Sequence, residues 1–533
     1  MKSLVGTGPL VRFILRRERL RLVVWVAVLA LVPMATASAF AELYPLEAER
    51  QQLVATVASN PAFVGLLGPI YDSSIGGLTA WRVGTIASLL IGLMAILTVI
   101  RNTREEEETG RRELLGSTVL GRHASLTAAL LVACGAGLVI GAVVAGGLIG
   151  LGLPVRGAAT FGLGFACTAL VFAAAAGVAA QLTAGAGAAR GIAIGFAGLA
   201  FLLRVAGDGG EASGIGWLSW LSPIGWFTRL RPFASERWPV VLLFFGLALV
   251  LGAGAYLLSS RRDVAAGVLP SRPGPAAAAS GLGSPLGLGW RLHRASLAGW
   301  TVGLGAVALV YGAVANSIGD MLTDSPQLAD IFEQLGGAAG ITDAFFATSM
   351  GILALIATAF AIRSVLRLRV EEEGLRAEPV LATATPRLRW VRSHLVYAVA
   401  GPVLMLAIAG AVSGATYGAI VGDVAGQTPK VVGAALVQVP AVWVVVGVAT
   451  ALFGVLPRAT SVSWGVLVSC LLLGQLGQIL QFPQWSLNLS PFSHIPRLPT
   501  TDLEVVPLVA LTLVAVFFTG VGLVGFQRRD IEG

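Results

Sequence analysis

The sequence has 533 residues, of which 56% are hydrophobic and only 12% are charged, and its mean hydropathy is +0.83. Soluble globular domains carry about 25% charged residues, so this composition excludes an ordinary soluble protein and indicates a lipid bilayer as its surroundings. The formal net charge of +8 does not indicate nucleic acid as a partner, because the basic residues lie between apolar segments, as in the loops of membrane proteins.

Twelve apolar segments approach the length of a transmembrane helix, about 20 mostly apolar residues. In the first half they lie at 22–41, 82–100, 124–150, 157–183, 190–206 and 238–259. In the second half they lie at 297–317, 344–362, 395–421, 431–456, 461–482 and 505–526. The predicted fold class is therefore an all-α integral membrane protein with about 12 transmembrane helices.

The positions of Arg and Lys predict how these helices are oriented. If the N-terminus is cytoplasmic, the cytoplasmic segments contain 27 of the 36 Lys and Arg residues. The loops after the first and seventh spans, which would be external, are instead acidic. We therefore expect both termini to be cytoplasmic (N-in/C-in). The excess of Arg over Lys, with abundant Ala and Gly, is typical of a high-GC bacterial genome and so predicts a bacterial plasma membrane.

Ordered matches between the two halves indicate an internal duplication. The glutamates at 106–108, followed by Gly110, match those at 371–373, followed by Gly374. Each half also ends in Arg-Arg-Asp, at 261–263 and 528–530. Because both halves have the same predicted orientation, they form two parallel six-helix repeats. The predicted division is 1–263 for the first half, 264–288 for a Pro/Gly/Ala-rich cytoplasmic linker and 289–533 for the second half.

A charged segment, 101–122, follows the second predicted span. The glutamates at 105–108 precede Arg111 and Arg112, the order that a helix dipole favours, and Leu114 and Leu115 contribute to an apolar face. Such an amphipathic segment is suited to docking a partner protein. A second copy lies at 366–392. The alternative is a solvated run of charges between two spans, but the presence of two copies at equivalent places favours a functional segment.

The motif in this segment resembles the cytoplasmic loop of type-2 ABC exporter permeases. It reads Glu-Glu-x-x-Gly-Arg-x-Glu-Leu-Leu, then Ser-Thr and Gly-Arg, and the two-by-six layout resembles the actinobacterial polyketide-antibiotic (tetronasin-type) exporter permeases. In that family the loop is a coupling helix seated on the nucleotide-binding subunit. The resemblance assigns ATPase coupling to Glu106, Glu107, Gly110, Arg111, Glu113 and Leu114, and to Glu371, Glu372, Gly374 and Glu378 in the second copy. Pro379 and Val380 stand where the first copy has Leu114 and Leu115, so the two interfaces need not be equivalent.

The same family has an N-terminal amphipathic helix before the first span, and residues 11–22 fit this description. The predicted membrane-surface residues are Arg12, Phe13, Arg16, Arg17 and Arg19. Arginines beside apolar residues suit an anionic inner leaflet. The alternative is a basic anchor that sets the orientation of the first span and has no coupling role.

The sequence contains no P-loop, which requires a lysine before Ser or Thr in a glycine-rich motif. Its lysines are Lys2 and Lys430, and Val431 follows the latter. No metal-ligand spacing and no nucleophile–base pair is recognised either. We therefore expect a transport subunit rather than an enzyme, with no cofactor of its own. ATP and Mg²⁺ would be bound by a separate nucleotide-binding ATPase subunit, expected to be a homodimer.

Polar residues inside the predicted spans are few. Gln475, Gln478 and Gln481 recur at every third residue and are candidates for a substrate path, with hydrogen bonding between helices as the alternative. Arg82 and Arg204 lie near the ends of spans, where we expect their side chains to snorkel to the membrane surface.

The resemblance implies the permease of an ATP-driven efflux pump for hydrophobic or amphipathic small molecules. A secondary, ion-coupled multidrug transporter is the first alternative, although no acidic residue lies centrally in a predicted span. A membrane scaffold that transports nothing is the second alternative.

Overall fold

The computed structural model describes residues 2–58, 64–65, 67–110, 120–211, 214–263, 266–269, 276–277, 279–323, 337–476 and 483–530. Regular secondary structure in these ranges is entirely helical. Contacts between residues divide the chain into two compact units, Met1–Gly274 and Pro275–Gly533. The division falls inside the segment 264–288, which the sequence predicts to be a linker.

Several of the described helices of the first unit pack around one long, buried helix. Their bounds are α1 Thr7–Leu43, α2 Glu47–Ala58, α3 Ile75–Arg101, α4 Arg104–Glu108, α5 Ala124–Gly150, α6 Val155–Leu182, α7 Ala186–Gly209, α8 Pro223–Arg229 and α9 Val241–Arg261. Helix α6 packs against α3, α5, α7 and α9. Phe165 of α6 stacks on Phe227 of α8 with the ring centroids 5.1 Å apart. The core of this unit therefore lies along α6.

The second unit repeats this packing with one interruption. Its helices are α10 Pro285–Thr323, α11 Gly337–Glu373, α12 Ala377–Leu381, α13 Arg387–Val421, α14 Val424–Leu436, α15 Val439–Val455, α16 Val462–Leu476, α17 Gln484–Leu487 and α18 Val505–Arg528. The pairs α10–α13, α13–α14, α11–α15 and α15–α18 pack as α1–α5, α5–α6, α3–α6 and α6–α9 do in the first unit. The place of the continuous α6 is taken by two helices, α14 and α15, with Val437 and Gln438 between them.

Eleven helical segments in the described ranges are long and apolar enough to cross a membrane. The chain is thus an all-α integral membrane protein, as the composition predicts. The predicted span 461–482 corresponds to α16, whose apolar part Val462–Gly474 is shorter than a span, and residues 477–482 lie outside the described residues. The count of 12 and the N-in/C-in orientation stay predictions.

Small residues bring α5 and α6 into close contact. A Cβ atom at Gly141 would clash with the carbonyl oxygen of Gly162, and a Cβ atom at Gly162 would clash with that of Gly141. A Cβ atom at Gly137 would meet the Cβ of Ala169. The backbones approach this closely only because these positions carry no side chain.

The N-terminal amphipathic segment is not a separate helix. The sequence predicts it before the first span, whereas the structure has a single helix α1 from Thr7 to Leu43. Leu10 and Ile14 are buried against Ala124 and Ala128 of α5. Since α5 supports the amphipathic turns, they continue the axis of the span. A role of this segment at the membrane surface stays a prediction.

Candidate functional site

The first glutamate cluster is positioned by a sharp turn at the end of α3. The side chain of Asn102 donates a hydrogen bond to the carbonyl oxygen of Thr98 (2.8 Å), and that of Thr103 donates to Val99 (2.7 Å). The backbone N–H of Asn102 also donates to Thr98, so the side chains of Asn102 and Thr103 add to the bonds that close the last turn of α3. The short helix α4 then begins at Arg104 and carries the four glutamates at 105–108.

Glu107 is the buried centre of this cluster. Its two carboxylate oxygens accept hydrogen bonds from Nη1 and Nη2 of Arg262, both at 2.9 Å. The fully buried Arg104 forms a second ion pair with Glu107. Nε of Arg262 donates to the side chain of Gln181 at 2.6 Å. Burial lowers the pKa of Arg262, because removal from water disfavours the charged guanidinium group.

The segment that follows α9 folds back over this ion pair. Arg104 donates to the carbonyl oxygen of Ala266 at 2.7 Å. The backbone N–H groups of Val268 and Leu269 donate to the carbonyl oxygens of Gln181 and Leu182, at 3.0 and 2.9 Å. The end of α6, the cluster and the chain beyond α9 are thus joined in one network.

The neighbouring glutamates bind different helices. Glu106 forms an ion pair with Arg17 of α1 at 2.6 Å. Glu105 pairs with Arg190 of α7. Glu108 accepts a hydrogen bond from the backbone N–H of Ala186, at the start of α7, at 2.8 Å. Carboxylates are stabilised at such a helix N-terminus. A displacement of α4 would therefore act on α1, α7 and the end of α9 together.

The predicted coupling residues of the first half are only partly described. Glu106 and Glu107 lie in α4, and Gly110 follows it with a φ of +73°, in the left-handed region that favours glycine. Arg111, Glu113 and Leu114 lie outside the described residues. After the gap, the N–H groups of Gly121 and His123 donate to the carbonyl oxygens of Val5 and Ser3, at 2.8 and 3.0 Å.

The second glutamate cluster lies at the end of α11, which continues straight to Glu373. Glu372 binds Arg529 through both carboxylate oxygens, each 2.8 Å from Nη2. Glu371 binds Arg367 at 2.6 Å and Arg376 at 2.8 Å. The same ion pair thus occurs once within each unit. It joins the middle glutamate of the cluster to the second arginine of Arg-Arg-Asp.

The surroundings of the second cluster differ from those of the first. Arg529 also lies over the ring of Phe453 at 5.0 Å. Glu371 is held by Arg367 and Arg376, which lie four and five positions from it in the sequence, and no described ion pair joins it to α10. Gly374 does not take up a positive φ, which occurs instead at Leu375 (+55°), and Glu378 is exposed in the first turn of α12. The two clusters thus differ in their contacts among the described residues, and the two docking interfaces need not be equivalent.

The predicted substrate-path residues cannot be located as a group. Gln475 lies in α16, whereas Gln478 and Gln481 lie outside the described residues. Their role stays a prediction.

An ion-pair network at the other end of α7 was missed by the sequence analysis. Arg204 is fully buried, and its Nε lies 2.9 Å from Asp208, so the expectation that it snorkels is wrong. Nη1 of Arg204 donates to the carbonyl oxygen of Gly65 at 2.9 Å, and Arg229 lies 3.5 Å from Asp208. The opposite charges at an i, i+4 spacing were the signal available in the sequence.

Comparison with known proteins places this architecture in a family. The family described as "Multidrug efflux system permease Rv1217c, C-terminal domain" matches residues 282–527. The multidrug efflux system permease protein Rv1217c of Mycobacterium tuberculosis is 44% identical over 529 residues, which cover 99% of this chain and 95% of that protein. The chain belongs to the multidrug efflux system permeases. This permease is accordingly a multi-pass protein of the plasma membrane.

Membership in this family confirms the prediction of an efflux permease made from the loop motif and the layout. It also agrees with the expectation of a transport subunit rather than an enzyme. The finer resemblance to tetronasin-type permeases stays a prediction, as does the partner ATPase.

Proposed function

We propose that the permease is the membrane subunit of an ATP-driven, ABC-type efflux pump, and that a separate nucleotide-binding subunit docks on its two glutamate clusters. That subunit would bind ATP and Mg²⁺. The observation that carries the proposal is the ion pair repeated in both units, Glu107–Arg262 and Glu372–Arg529. A duplicated anchor at equivalent places suits a partner with two similar subunits.

The contacts of the first cluster explain how docking would reach the membrane. Arg17 lies five residues before Leu22, where the first apolar segment begins, and Arg190 is in the second turn of α7. Both are held by glutamates of α4, which is only five residues long. A push on α4 would be transmitted to two membrane helices through charged hydrogen bonds, which are stronger than neutral ones.

The second cluster would make a different contribution. Glu372 of this cluster, at the end of α11, binds Arg529, which follows α18. The carbonyl oxygen of Arg529 in turn accepts a hydrogen bond from Arg387 at 3.0 Å. Docking there would act on the last helix of its unit rather than on the first. We therefore expect the two clusters to be unequal in transmitting ATP-driven movement.

The substrates we propose are hydrophobic or amphipathic small molecules. The Mycobacterium tuberculosis relative is named a multidrug efflux permease. The resemblance of the loop motif to exporters of polyketide antibiotics implies hydrophobic or amphipathic cargo.

Transport into inverted membrane vesicles tests the energy source. Vesicles from cells expressing the permease with its native partners should accumulate a fluorescent amphipathic dye when ATP is supplied, and vanadate should stop accumulation. Vesicles carrying Glu106→Arg should accumulate less dye at equal permease content. Accumulation that continues without ATP and collapses with a protonophore would contradict the proposal.

One observation favours the alternative of secondary transport, namely the buried Asp208. A buried acid in a transporter is a candidate proton carrier. Here, however, Arg204 and Arg229 both bind Asp208, so its charge is compensated in place. Dye uptake that depends on Asp208 and on a proton gradient, but not on ATP, would establish this alternative. A scaffold without transport would show neither uptake nor dye-stimulated ATP hydrolysis.

A further inference from the structure

An apolar groove runs between α1 and α5 on the surface of the first unit. Its volume is about 590 Å³, and its lining is almost entirely apolar. The residues that shape it include Val11, Leu15, Leu22 and Val26 of α1, and Leu131 and Gly135 of α5. Ligand pockets typically measure about 300–1,000 Å³, so the groove is large enough for part of a lipid-sized molecule.

The arginines of α1 divide into two groups around this groove. Arg17 and Arg21 are engaged with Glu106 and Glu18, at 2.6 and 3.2 Å. The other three, Arg12, Arg16 and Arg19, are exposed, and none forms an ion pair with a described residue. Among the described residues, the helix therefore carries three positive charges on its outer side that have no acidic partner.

These three charges lie beside the groove. Arg12, Arg16 and Arg19 follow an i, i+4, i+7 spacing, which places them on one face of the helix. Leu15, Leu22 and Val26 form the adjoining stripe that lines the groove. Along the axis the three arginines span about 10 Å, because each residue of an α-helix rises about 1.5 Å. The apolar groove thus begins at the level of a basic patch.

We propose that the groove binds one anionic phospholipid, with an acyl chain along α1 and α5 and the phosphate between Arg12, Arg16 and Arg19. The basic patch ends three residues before Leu22, where the apolar segment starts, so the charges lie at the depth of the lipid headgroups. Arginine binds phosphate oxygens with paired N–H groups, which favours this headgroup over a neutral one. The proposal does not depend on the source of energy for transport.

The charge distribution selects this occupant over other amphipathic molecules. A cationic drug would be repelled by the guanidinium groups of Arg12, Arg16 and Arg19, and a zwitterionic lipid would bring its own positive charge to them. Each basic residue close to an anionic lipid surface contributes about a fivefold gain in binding. Three such residues around one apolar groove therefore favour a lipid with a net negative headgroup.

Lipid binding to the purified full-length permease tests the proposal. We would titrate nanodiscs of phosphatidylcholine with fluorescent phosphatidylglycerol and follow energy transfer from the tryptophans, of which Trp25 lies on α1. The triple variant Arg12→Gln, Arg16→Gln, Arg19→Gln should weaken saturable binding at least tenfold. The matched control Arg291→Gln, Arg294→Gln, Arg389→Gln removes three exposed arginines from the second unit and should leave binding unchanged.

A second pair of variants tests the groove itself. A Cβ atom at Gly135 has no neighbour within 4 Å, so Gly135→Phe should fill the groove without disturbing the backbone. Gly146, further along α5, has the same free space but does not line the groove, so Gly146→Phe is the control. Binding lost only in Gly135→Phe supports the proposal. Equal loss in both arginine triples, or unchanged binding in Gly135→Phe, would overturn it in favour of diffuse attraction to the membrane surface.

Discussion

The guanidinium group of Arg262 binds the carboxylate of Glu107 through two hydrogen bonds, both 2.9 Å long, although the residues are 155 positions apart. The second unit contains the same pair in Arg529 and Glu372, with both carboxylate oxygens 2.8 Å from Nη2. In each unit the ion pair joins the residue after the last membrane helix, α9 or α18, to the glutamate cluster at the end of the second membrane helix, α3 or α11. The cluster is thereby fixed to its unit before any partner binds.

Removal of Arg262 should destabilise the permease far more than removal of the adjacent Arg261. Breaking a buried ion pair by deleting one partner costs about 3–5 kcal/mol, and we expect the lower end because Arg104 also binds Glu107. Arg261 is exposed, so Arg261→Ala should change the free energy of unfolding by less than about 0.5 kcal/mol. Thermal unfolding in detergent compares the two variants. Equal melting temperatures would show that the ion pair is not structural.

Reversal of the Glu106–Arg17 pair should uncouple ATP hydrolysis from transport. Glu106→Arg places two arginines where a 2.6 Å ion pair stands, so α4 would lose its contact with α1. Adding Arg17→Glu restores opposite charges and should recover much of the dye transported per ATP hydrolysed. The control combines Glu106→Arg with Arg16→Glu, since Arg16 is exposed and does not bind Glu106. If Arg16→Glu restored the dye transported per ATP hydrolysed as well as Arg17→Glu does, the contact between Glu106 and Arg17 would not be the one that couples the two activities.

Asp208 should be costly to remove alone and less costly to remove together with Arg204. Asp208→Ala leaves two buried arginines without their common acid, which we expect to cost about 3–5 kcal/mol. The double variant Asp208→Ala, Arg204→Met should recover part of this loss, because fewer uncompensated charges stay buried. Arg156→Ala, which removes a 71% exposed partner of Glu236, should cost less than about 1 kcal/mol. Unfolding in denaturant gives the free energy of unfolding of all three variants. If the double variant lost more stability than Asp208→Ala alone, Asp208 and Arg204 would not be coupled.

A side chain at Gly141 should prevent α5 and α6 from packing. Overpacking a close contact costs about 1–3 kcal/mol or more, and Gly141→Leu would push the branched side chain against the Gly162 carbonyl. Gly146→Leu on the same helix meets no neighbour within 4 Å and serves as the control. The yield of monodisperse protein in size-exclusion chromatography should fall only for Gly141→Leu. A similar yield for both would mean that the helices do not meet there.

The membrane helices could be predicted because each must be apolar along its length, a local property of the sequence. The matching of the glutamate clusters and of Arg-Arg-Asp also came from the sequence, yet nothing local showed that Glu107 binds Arg262. That pairing depends on how α3 and α9 are placed around α6. The sequence likewise did not show which arginine of α1 has an acidic partner, because the pair of Arg17 with Glu106 depends on how α1 and α4 are placed.

The buried Arg204 was misjudged for a different reason. Its position near the end of a predicted span suggested that it reaches water, but the helix extends to Gly209 and Asp208 lies within it. The predicted span ends at residue 206, three residues before the helix does, so Asp208 was left outside it. The separate N-terminal helix was expected because the segment is amphipathic, whereas two of its apolar residues, Leu10 and Ile14, pack against α5 and the helix continues into the span.

Copurification of the tagged permease from its native host in mild detergent, with mass spectrometry of the bound proteins, tests the central claim most directly. We predict a stoichiometric partner with a P-loop that is retained by the Arg261→Ala variant. Glu378 is exposed in α12 of the second unit, and the Glu378→Arg variant should retain less of this partner. A permease that purifies without any ATPase, yet still extrudes dye from intact cells, would contradict the account.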